Sequence, residues 1–408
     1  MTYGDLLRRH GGTVAFGFSL AFLSAFGQTF FISLFGPELR AAFGLSNGGF
    51  GAVYSTATLC SGMLMIWVGG VLDRVSTAAY ALVALTGLGL AAFGLSLAPS
   101  VLALGLALFC LRLFAQGMLS HAAVTSTARL PQPIRGRAVS LALMGFSAAE
   151  MVVPFLGIAL IAWFGWVGAW QIAGTVPLVA AALVAAGWAA RRRRAPGQAS
   201  AVTPSAPTAF RRVDLLRDWR FLIFIPCMIA PPAINTGYLF HQRLIGDLRA
   251  WPLELLALGV SAYALAAIVA TIATGYLVDR FGATLLCRGH LLPLGASSLV
   301  LFGAANPTEP LLMFGLMGVT AAANGVVVPA VLAEIFGTEH LGAIRGLAAA
   351  IMVAGSATTP WLFGLLFDWQ VPLGAFAIAC AAYVIVASLL NVPLRWSERR
   401  PQTLKPAE

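Results

Sequence analysis

Long apolar runs, each close to 20 residues, follow one another from one end of this 408-residue chain to the other and leave few folds open. About 20 residues of α-helix cross the hydrocarbon layer of a bilayer. Unpaired backbone groups in lipid are costly, so only helices and closed barrels span it. The runs lack the strict alternation of barrel strands and therefore predict helices. Composition agrees, because only 10% of the residues are charged, against about 25% in soluble domains.

Twelve such runs predict an all-α membrane protein with twelve transmembrane helices in two pseudo-symmetric six-helix halves. The predicted spans cover residues 13–35, 49–71, 78–97, 101–126, 138–162, 167–189, 219–241, 255–278, 283–303, 309–333, 342–366 and 372–394. Four consecutive arginines followed by Pro, Gly and Ser mark a flexible connector. We therefore predict an N-terminal half over residues 1–190, a cytoplasmic linker over 191–218 and a C-terminal half over 219–408.

The basic residues predict the orientation of these helices. If both termini are cytoplasmic, all but four of the 25 Lys and Arg residues fall on the cytoplasmic side. The exceptions are Arg40, Arg243 and Arg249 on the outside and Arg112 within the fourth span. Positive charge collects on the cytoplasmic side of membrane proteins. We therefore predict cytoplasmic termini, and we attribute the net charge of +10 to topology rather than to nucleic-acid binding.

Two sequence elements occur once in each half. A Gly followed four residues later by Asp-Arg closes the second span and recurs 206 positions later, as Gly69, Asp73 and Arg74 and as Gly275, Asp279 and Arg280. An Arg-Gly pair with a second Gly further on opens the fifth span and recurs 210 positions later, as Arg135, Gly136 and Gly145 and as Arg345, Gly346 and Gly355. Helical glycines of this kind are close packing points or kinks. The repeats predict a duplicated membrane protein.

The twelve spans, the central linker and the Gly-x-x-x-Asp-Arg element resemble the major facilitator superfamily of secondary transporters. The resemblance covers essentially the whole chain, although Ser76 stands where the family has Gly and the trailing basic pair is missing in both halves. It implies that the six residues of the repeated Gly/Asp-Arg element belong to a cytoplasmic gate, with Asp73 meeting helix ends of the second half. It also implies alternating access around a cavity lined by helices 1, 4, 7 and 10.

Two further segments bear on this resemblance. Arg112, Gln116 and Gly117 are similar to a family motif on helix 4, but the Arg-to-Gly spacing is five residues where four is usual. The antiporter element of helix 5 is absent; Glu150, Pro154 and Gly157 occupy that region. This absence weakens a multidrug antiporter assignment, and the stretch is loosely similar to the monocarboxylate- and oxalate-type branches.

An ionisable residue inside the membrane raises the free energy of insertion by about 2.5–3.5 kcal/mol, so such a residue indicates a functional or structural role. Arg112 lies eleven residues into the fourth span and Glu150 twelve into the fifth, both near mid-bilayer. We predict that Arg112 binds an anionic substrate and takes part in proton coupling, and that Glu150 takes up and releases the proton. The alternative is a fixed ion pair that joins two helices.

Polar residues at helical spacing, which places them on one face, occur on each helix that the resemblance assigns to the cavity. Pro231 and Pro232 interrupt hydrogen bonding in the seventh span, and discontinuous helices often frame binding sites, so residues 231–241 are a further candidate. The predicted substrate-binding residues are Gln28, Arg112, Gln116, Asn235, Tyr238, His241 and Asn324. A single Asn or Gln can equally be a contact between helices.

Other classes of protein find little support. The chain has no phosphate-binding G-x-x-x-x-G-K-[ST] loop, no HExxH and no CxxC. We therefore expect no enzyme, no cofactor, no metal site and no nucleic-acid partner. The five cysteines are expected to be buried thiols.

The resulting hypothesis is a proton-coupled secondary transporter of a small organic anion such as a monocarboxylate. The alternative is proton-coupled efflux of hydrophobic compounds or drugs. The expected partners are a small-molecule substrate, the proton and the lipid bilayer, and the protein is expected to be a monomer. Frequent Ala, Gly and Arg with one lysine favour a bacterial inner (plasma) membrane.

Overall fold

The computed structural model describes residues 3–194, 215–302, 306, 308–337 and 341–393, and its regular elements are helices. Before the predicted linker, α1 begins with Tyr3–Leu23 and continues as the short pieces Ser24–Gly27, Thr29–Ile32, Ser33–Phe35 and Gly36–Phe43. It is followed by α2 (Asn47–Val71), α3 (Thr77–Ser96) and α4, which consists of Val101–Leu111, Arg112–Leu119 and Ser120–Ala128. The last two helices, α5 and α6, together form Gln132–Arg194 and meet at Gly165. The helices after the linker are α7 (Trp219–Phe240), α8 (Leu253–Phe281), α9 (Ala283–Cys287 and Leu292–Val300), α10 (Glu309–Phe336), α11 (Leu341–Asp368) and α12 (Leu373–Leu389), with a short helix Gln242–Arg249 between α7 and α8.

The twelve predicted helices are confirmed in this part of the chain. Nine helical segments are long and apolar enough to cross a membrane, and one of them, Ile134–Ala189, holds both α5 and α6. The remaining two are α12, a shorter apolar helix, and α9, which is divided into two pieces. The chain forms two compact units, Met1–Pro204 and Ser205–Glu408. The boundary lies in the predicted linker 191–218, most of which is outside the described residues.

Serine side chains start three consecutive helices of the first unit. Ser46, Ser76 and Ser100 precede α2, α3 and α4, and each hydroxyl oxygen accepts a hydrogen bond from the backbone N–H three residues later, at 3.0–3.3 Å. Such a cap satisfies a backbone donor that the helix itself leaves unpaired. Ser76 is the residue that departs from the family's Gly, and its extended backbone (φ −65°) does not require glycine. The matching Gly282 of the second unit has φ +80°, a value that glycine adopts readily.

The discontinuity predicted for the seventh span is wrong, and a discontinuity occurs in α1 instead. α7 is one helix from Trp219 to Phe240 and includes both Pro231 and Pro232. Membrane helices tolerate proline because neighbouring groups compensate the lost hydrogen bonds. In α1, by contrast, Gln28 is extended (φ −83°, ψ 155°) and separates Ser24–Gly27 from Thr29–Ile32.

The repeated glycines Gly145 and Gly355 are packing points within their own units. A Cβ added at Gly145 would clash with the carbonyl oxygen of Phe18 on α1. At Gly355 it would lie 2.5 Å from the Ile229 side chain on α7. The first helix of each unit therefore approaches the fifth at the same kind of residue, which is consistent with the internal repeat.

Replacing Gly145 by alanine should destabilise the protein by about 1–3 kcal/mol, because the backbone oxygen of Phe18 cannot move aside as a flexible side chain would. Gly136 on the same helix is the matched control, since nothing lies within 4 Å of an added Cβ. There alanine should be neutral or stabilising by roughly 0.5–1 kcal/mol. Thermal unfolding in detergent measures both variants, and equal midpoints would contradict the proposed α1–α5 contact.

Candidate functional sites

Arg112 is the centre of the candidate site in the first unit. Its side chain is buried, with 3% of the residue exposed. One NH₂ group, Nη1, donates a hydrogen bond to the carbonyl oxygen of Gly27 at 3.0 Å, and the guanidinium carbon lies 5.3 Å from the centre of the Tyr54 ring. Nε is buried without a hydrogen-bond partner, and no carboxylate among the described residues forms an ion pair with Arg112. The site therefore holds a buried cation without a protein anion.

The discontinuity in α1 and a change of helix type in α4 produce this arrangement. Residues Arg112–Leu119 are π-helical, and the Ser120 N–H bonds five residues back, to Ala115. A π-helical turn accommodates one more residue than an α-helical turn and is frequent at functional sites. The one-residue excess between Arg112 and Gly117 falls within this stretch. A Cβ at Gly27 would clash with Ala115 and the Leu111 carbonyl, so glycine allows the two helices to meet here.

Polar groups continue from Gly27 along α1 on either side of the break. Gln28 is half-buried, and its amide donates to the Ser24 hydroxyl at 3.5 Å. The Thr29 hydroxyl lies 2.8 Å from the hydroxyl of Tyr54, the tyrosine that stacks on Arg112. Gln116 is exposed although Arg112 is buried, so these two predicted residues have different surroundings. Gly27, Thr29 and Tyr54 are not among the substrate-binding residues predicted from the sequence.

Glu150 on α5 does not join this cluster. It is half-buried, and none of the hydrogen bonds and ion pairs among the described residues involves it. The fixed Arg112–Glu150 ion pair, the alternative reading of the sequence, is not formed in this structure. Glu150 is instead a membrane carboxyl without a hydrogen-bond or ion-pair partner in the described part of the chain.

The candidate residues of α7 have three different environments. Asn235 is buried, and its side-chain oxygen has no hydrogen-bond partner. The Tyr238 ring packs edge-on against Phe363 and Phe376, with centroids 5.9 and 5.7 Å apart, within the core of the second unit. His241 ends the helix, and its Nε2 lies 2.9 Å from the carbonyl oxygen of Pro360 on α11. Asn235 and Tyr238 each have a buried side-chain oxygen without a hydrogen-bond partner among the described residues, although the Tyr238 ring is held by packing, whereas His241 is held by α11.

Asn324 on α10 meets a group that sequence reasoning did not connect with it. Its side-chain oxygen lies 3.3 Å from Nε2 of His290, which is not among the site residues predicted from the sequence. His290 in turn lies beside Cys227 and Cys287, and one potential metal-binding atom from each of these three buried residues falls within 4.8 Å of the others. The cysteines are 60 residues apart without CxxC spacing, so no local sequence pattern indicates this cluster.

Next to the predicted gate residues of the first unit, an arginine that sequence reasoning did not single out holds the connection between α2 and α3. Arg129, at the end of α4, donates to the carbonyl oxygen of Leu72 at 2.8 Å and to the Thr77 hydroxyl at 2.9 Å. The same guanidinium lies 3.8 Å from Asp73, whose side chain is 71% exposed. Arg74 is exposed. Arg129 therefore fixes the connection from α2 to α3 and leaves Asp73 accessible.

In the second unit the corresponding connection, from α8 to α9, is held by a carboxylate, that of Glu334. It lies at the end of α10, 205 positions after Arg129. Its carboxylate accepts hydrogen bonds from the N–H groups of Ala283 and Thr284 and, at 2.5 Å, from the Thr284 hydroxyl. It thereby binds the start of α9. The predicted gate residue Asp279 is exposed, and Arg280 donates to the hydroxyl of Tyr276 at 3.3 Å.

Comparisons with known proteins agree with this architecture. The sequence model of the Major Facilitator Superfamily matches residues 17–252 and 235–407. Among solved structures, a bacterial homologue of the human lysosomal transporter Spinster is similar in two forms. The inward-facing, unoccupied form is 14% identical with a TM-score of 0.67, and the inward-facing, occupied form is 13% identical with a TM-score of 0.69. Each alignment covers 95% of this chain and 99% of the other. None of the curated proteins compared with the chain matches it.

Proposed function

The chain belongs to the major facilitator superfamily, an assignment that makes it an integral membrane transporter, and we propose that it moves a small organic anion by proton-coupled alternating access. A monocarboxylate is the substrate that we favour. From the distribution of arginines we also propose that both termini are cytoplasmic. A bacterial plasma membrane and a monomer complete the proposal.

The observation that carries the proposal is the buried guanidinium of Arg112. Within the described residues its Nε has no partner, Nη1 binds the Gly27 carbonyl and the guanidinium lies over the Tyr54 ring; neither of these two groups carries a full negative charge. A desolvated charge without a counter-charge costs several kcal/mol. A carboxylate substrate would supply that counter-charge, and the planar guanidinium is well suited to bind it with two parallel hydrogen bonds. One cation favours a substrate with one negative charge.

Glu150 is the group that we propose for proton coupling. A carboxyl group inside a membrane that lacks a cationic partner is more stable in its neutral form. It can be charged while the site is open to water on one side and neutral while the protein changes the side to which the site opens. Because Glu150 is not bound to Arg112, it can change protonation without first breaking an ion pair.

Flux measurements on proteoliposomes test the substrate class. Vesicles loaded with an unlabelled monocarboxylate should take up the labelled compound by counterflow, and dicarboxylates should exchange more slowly. Lipophilic cations serve as the competing class. Flux of these cations without carboxylate flux would favour the efflux of drugs and contradict our proposal, as would vesicles that exchange neither class.

Replacing Glu150 by glutamine should separate exchange from proton coupling. The amide cannot release a proton, so accumulation driven by a pH gradient should fall to the level measured without a gradient, whereas counterflow should persist. Glu254 is exposed at the start of α8 and provides the matched control; Glu254→Gln should retain both activities. Gradient-driven accumulation at the wild-type rate in Glu150→Gln would exclude Glu150 as the proton carrier.

A further inference from the structure

The second unit contains a cluster of two thiols and one imidazole that the transport proposal does not use. Cys227 lies on α7, Cys287 ends the first piece of α9, and His290 lies in the turn between the two pieces. Both cysteines are fully buried, and 8% of His290 is exposed. The two sulfur atoms are 3.8 Å apart, and a ring nitrogen of His290 completes a triangle with sides within 4.8 Å. The cluster connects α7 to the point where α9 is interrupted.

These distances are suited to a metal ion. Two thiolates bound to one zinc ion, each at about 2.3 Å and at the tetrahedral angle, lie about 3.8 Å apart. The two sulfur atoms of the cluster already have this separation. Little movement of α7 or α9 is therefore needed to bring both sulfurs into the coordination sphere.

The surroundings of His290 also fit a metal ligand. A metal-bound histidine usually donates its other ring N–H to a carbonyl or carboxylate oxygen, which fixes the orientation of the ring. His290 has such an oxygen at both nitrogens: the Cys287 carbonyl lies 3.2 Å from Nδ1, and the Asn324 side-chain oxygen lies 3.3 Å from Nε2. Whichever nitrogen binds the ion, the other can donate.

Charge selects the class of ion. Two thiolates carry two negative charges and a neutral imidazole carries none, so a divalent cation gives a neutral complex. Neutrality matters because the cluster is buried and uncompensated charge is costly there. Thiolate and imidazole ligands favour zinc and its soft analogues over magnesium or calcium.

We propose that Cys227, Cys287 and His290 form a binding site for a divalent cation of the zinc class. The ion connects α7 to α9 within the second unit. It binds after the two thiols lose their protons, so its affinity rises with pH. The proposal is independent of the transported substrate.

Cadmium binding to the purified, reduced protein in detergent tests the site directly. Thiolate coordination produces a charge-transfer absorption in the ultraviolet, and we expect it to saturate at one ion per chain. Zinc should compete with cadmium and raise the unfolding temperature. Cys227→Ser and Cys287→Ser should each abolish the absorption. Cys380→Ser is the matched control, since Cys380 is a buried cysteine of the same unit outside the cluster, and it should bind as the wild type does.

If the cysteine variants do not fold, His290→Gln tests the proposed metal site instead. It retains both thiols, and it should weaken cadmium binding by at least about tenfold while the protein remains monodisperse. Wild-type affinity in His290→Gln or in a folded cysteine variant would overturn the site. So would a reduced wild-type protein that binds no cadmium, or a mass two hydrogens lower that persists after reduction, which would identify a Cys227–Cys287 disulfide instead.

Discussion

Uptake of monocarboxylate by the Arg112→Met variant should be roughly 10–100-fold slower than by the wild type. A hydrogen bond to a charged group contributes about 1.5–3 kcal/mol, and the variant keeps an unbranched side chain but has neither the charge nor the donors. Arg112→Lys should fall in between, because an ammonium group keeps the charge but cannot form two parallel hydrogen bonds to a carboxylate. Initial rates of counterflow in proteoliposomes measure both variants.

The unfolding temperature distinguishes a specific loss of transport in the Arg112 variant from a loss of the folded protein. Arg112 has no protein anion to lose, so removing its charge should leave the unfolding temperature unchanged or raise it. Arg217 is exposed and provides a control, since Arg217→Met removes one positive charge from the surface. Wild-type anion flux in Arg112→Met would remove the main support for an anionic substrate.

Replacing Glu309 by alanine should destabilise the protein by about 3–5 kcal/mol, because it breaks a buried ion pair by removing the carboxylate. Glu309 opens α10 with 6% of its side chain exposed, and both of its oxygens bind the guanidinium of Arg249, with one Nε–Oε2 distance of 3.0 Å. The Trp251 indole N–H donates to the same carboxylate at 3.1 Å. The variant therefore removes a carboxylate that binds both the Arg249 guanidinium and the Trp251 indole N–H.

The double variant Arg249→Met, Glu309→Leu should regain much of this loss, since replacing a buried ion pair by apolar residues is often close to neutral. Glu254→Ala, which removes an exposed carboxylate nearby in the sequence, should change the unfolding free energy by less than about 0.5 kcal/mol. Chemical unfolding in mixed detergent measures all three variants. A Glu309→Ala protein as stable as Glu254→Ala would show that the ion pair contributes little.

The Arg249 ion pair also explains an exception in the sequence. Arg249 is one of three basic residues predicted on the outer side, where positive charge is uncommon. Its partner Glu309 lies 60 residues away, so no local pattern connects the two. Charge distribution predicted the orientation from the many arginines, but the role of this arginine depends on a contact between distant segments.

The length of apolar runs predicted the helices correctly, but prolines and glycines did not predict where a helix is interrupted. Pro231 and Pro232 predicted a break in α7, yet the helix continues through both. The break is at Gln28 in α1, beside a glycine that allows close approach to α4. A proline removes one backbone hydrogen bond, and groups on neighbouring helices can compensate for that loss in a membrane protein.

The sequence by itself determined the twelve helices and the family. These follow from the length of apolar runs and from repeated motifs, because the cost of burying polar groups in lipid acts on each segment separately. The tertiary structure alone decided that Arg112 has no protein anion, that Glu150 stands apart from it, and that Cys227, Cys287 and His290 meet. These relations join segments far apart in the chain, and their energies depend on distances that only packing sets.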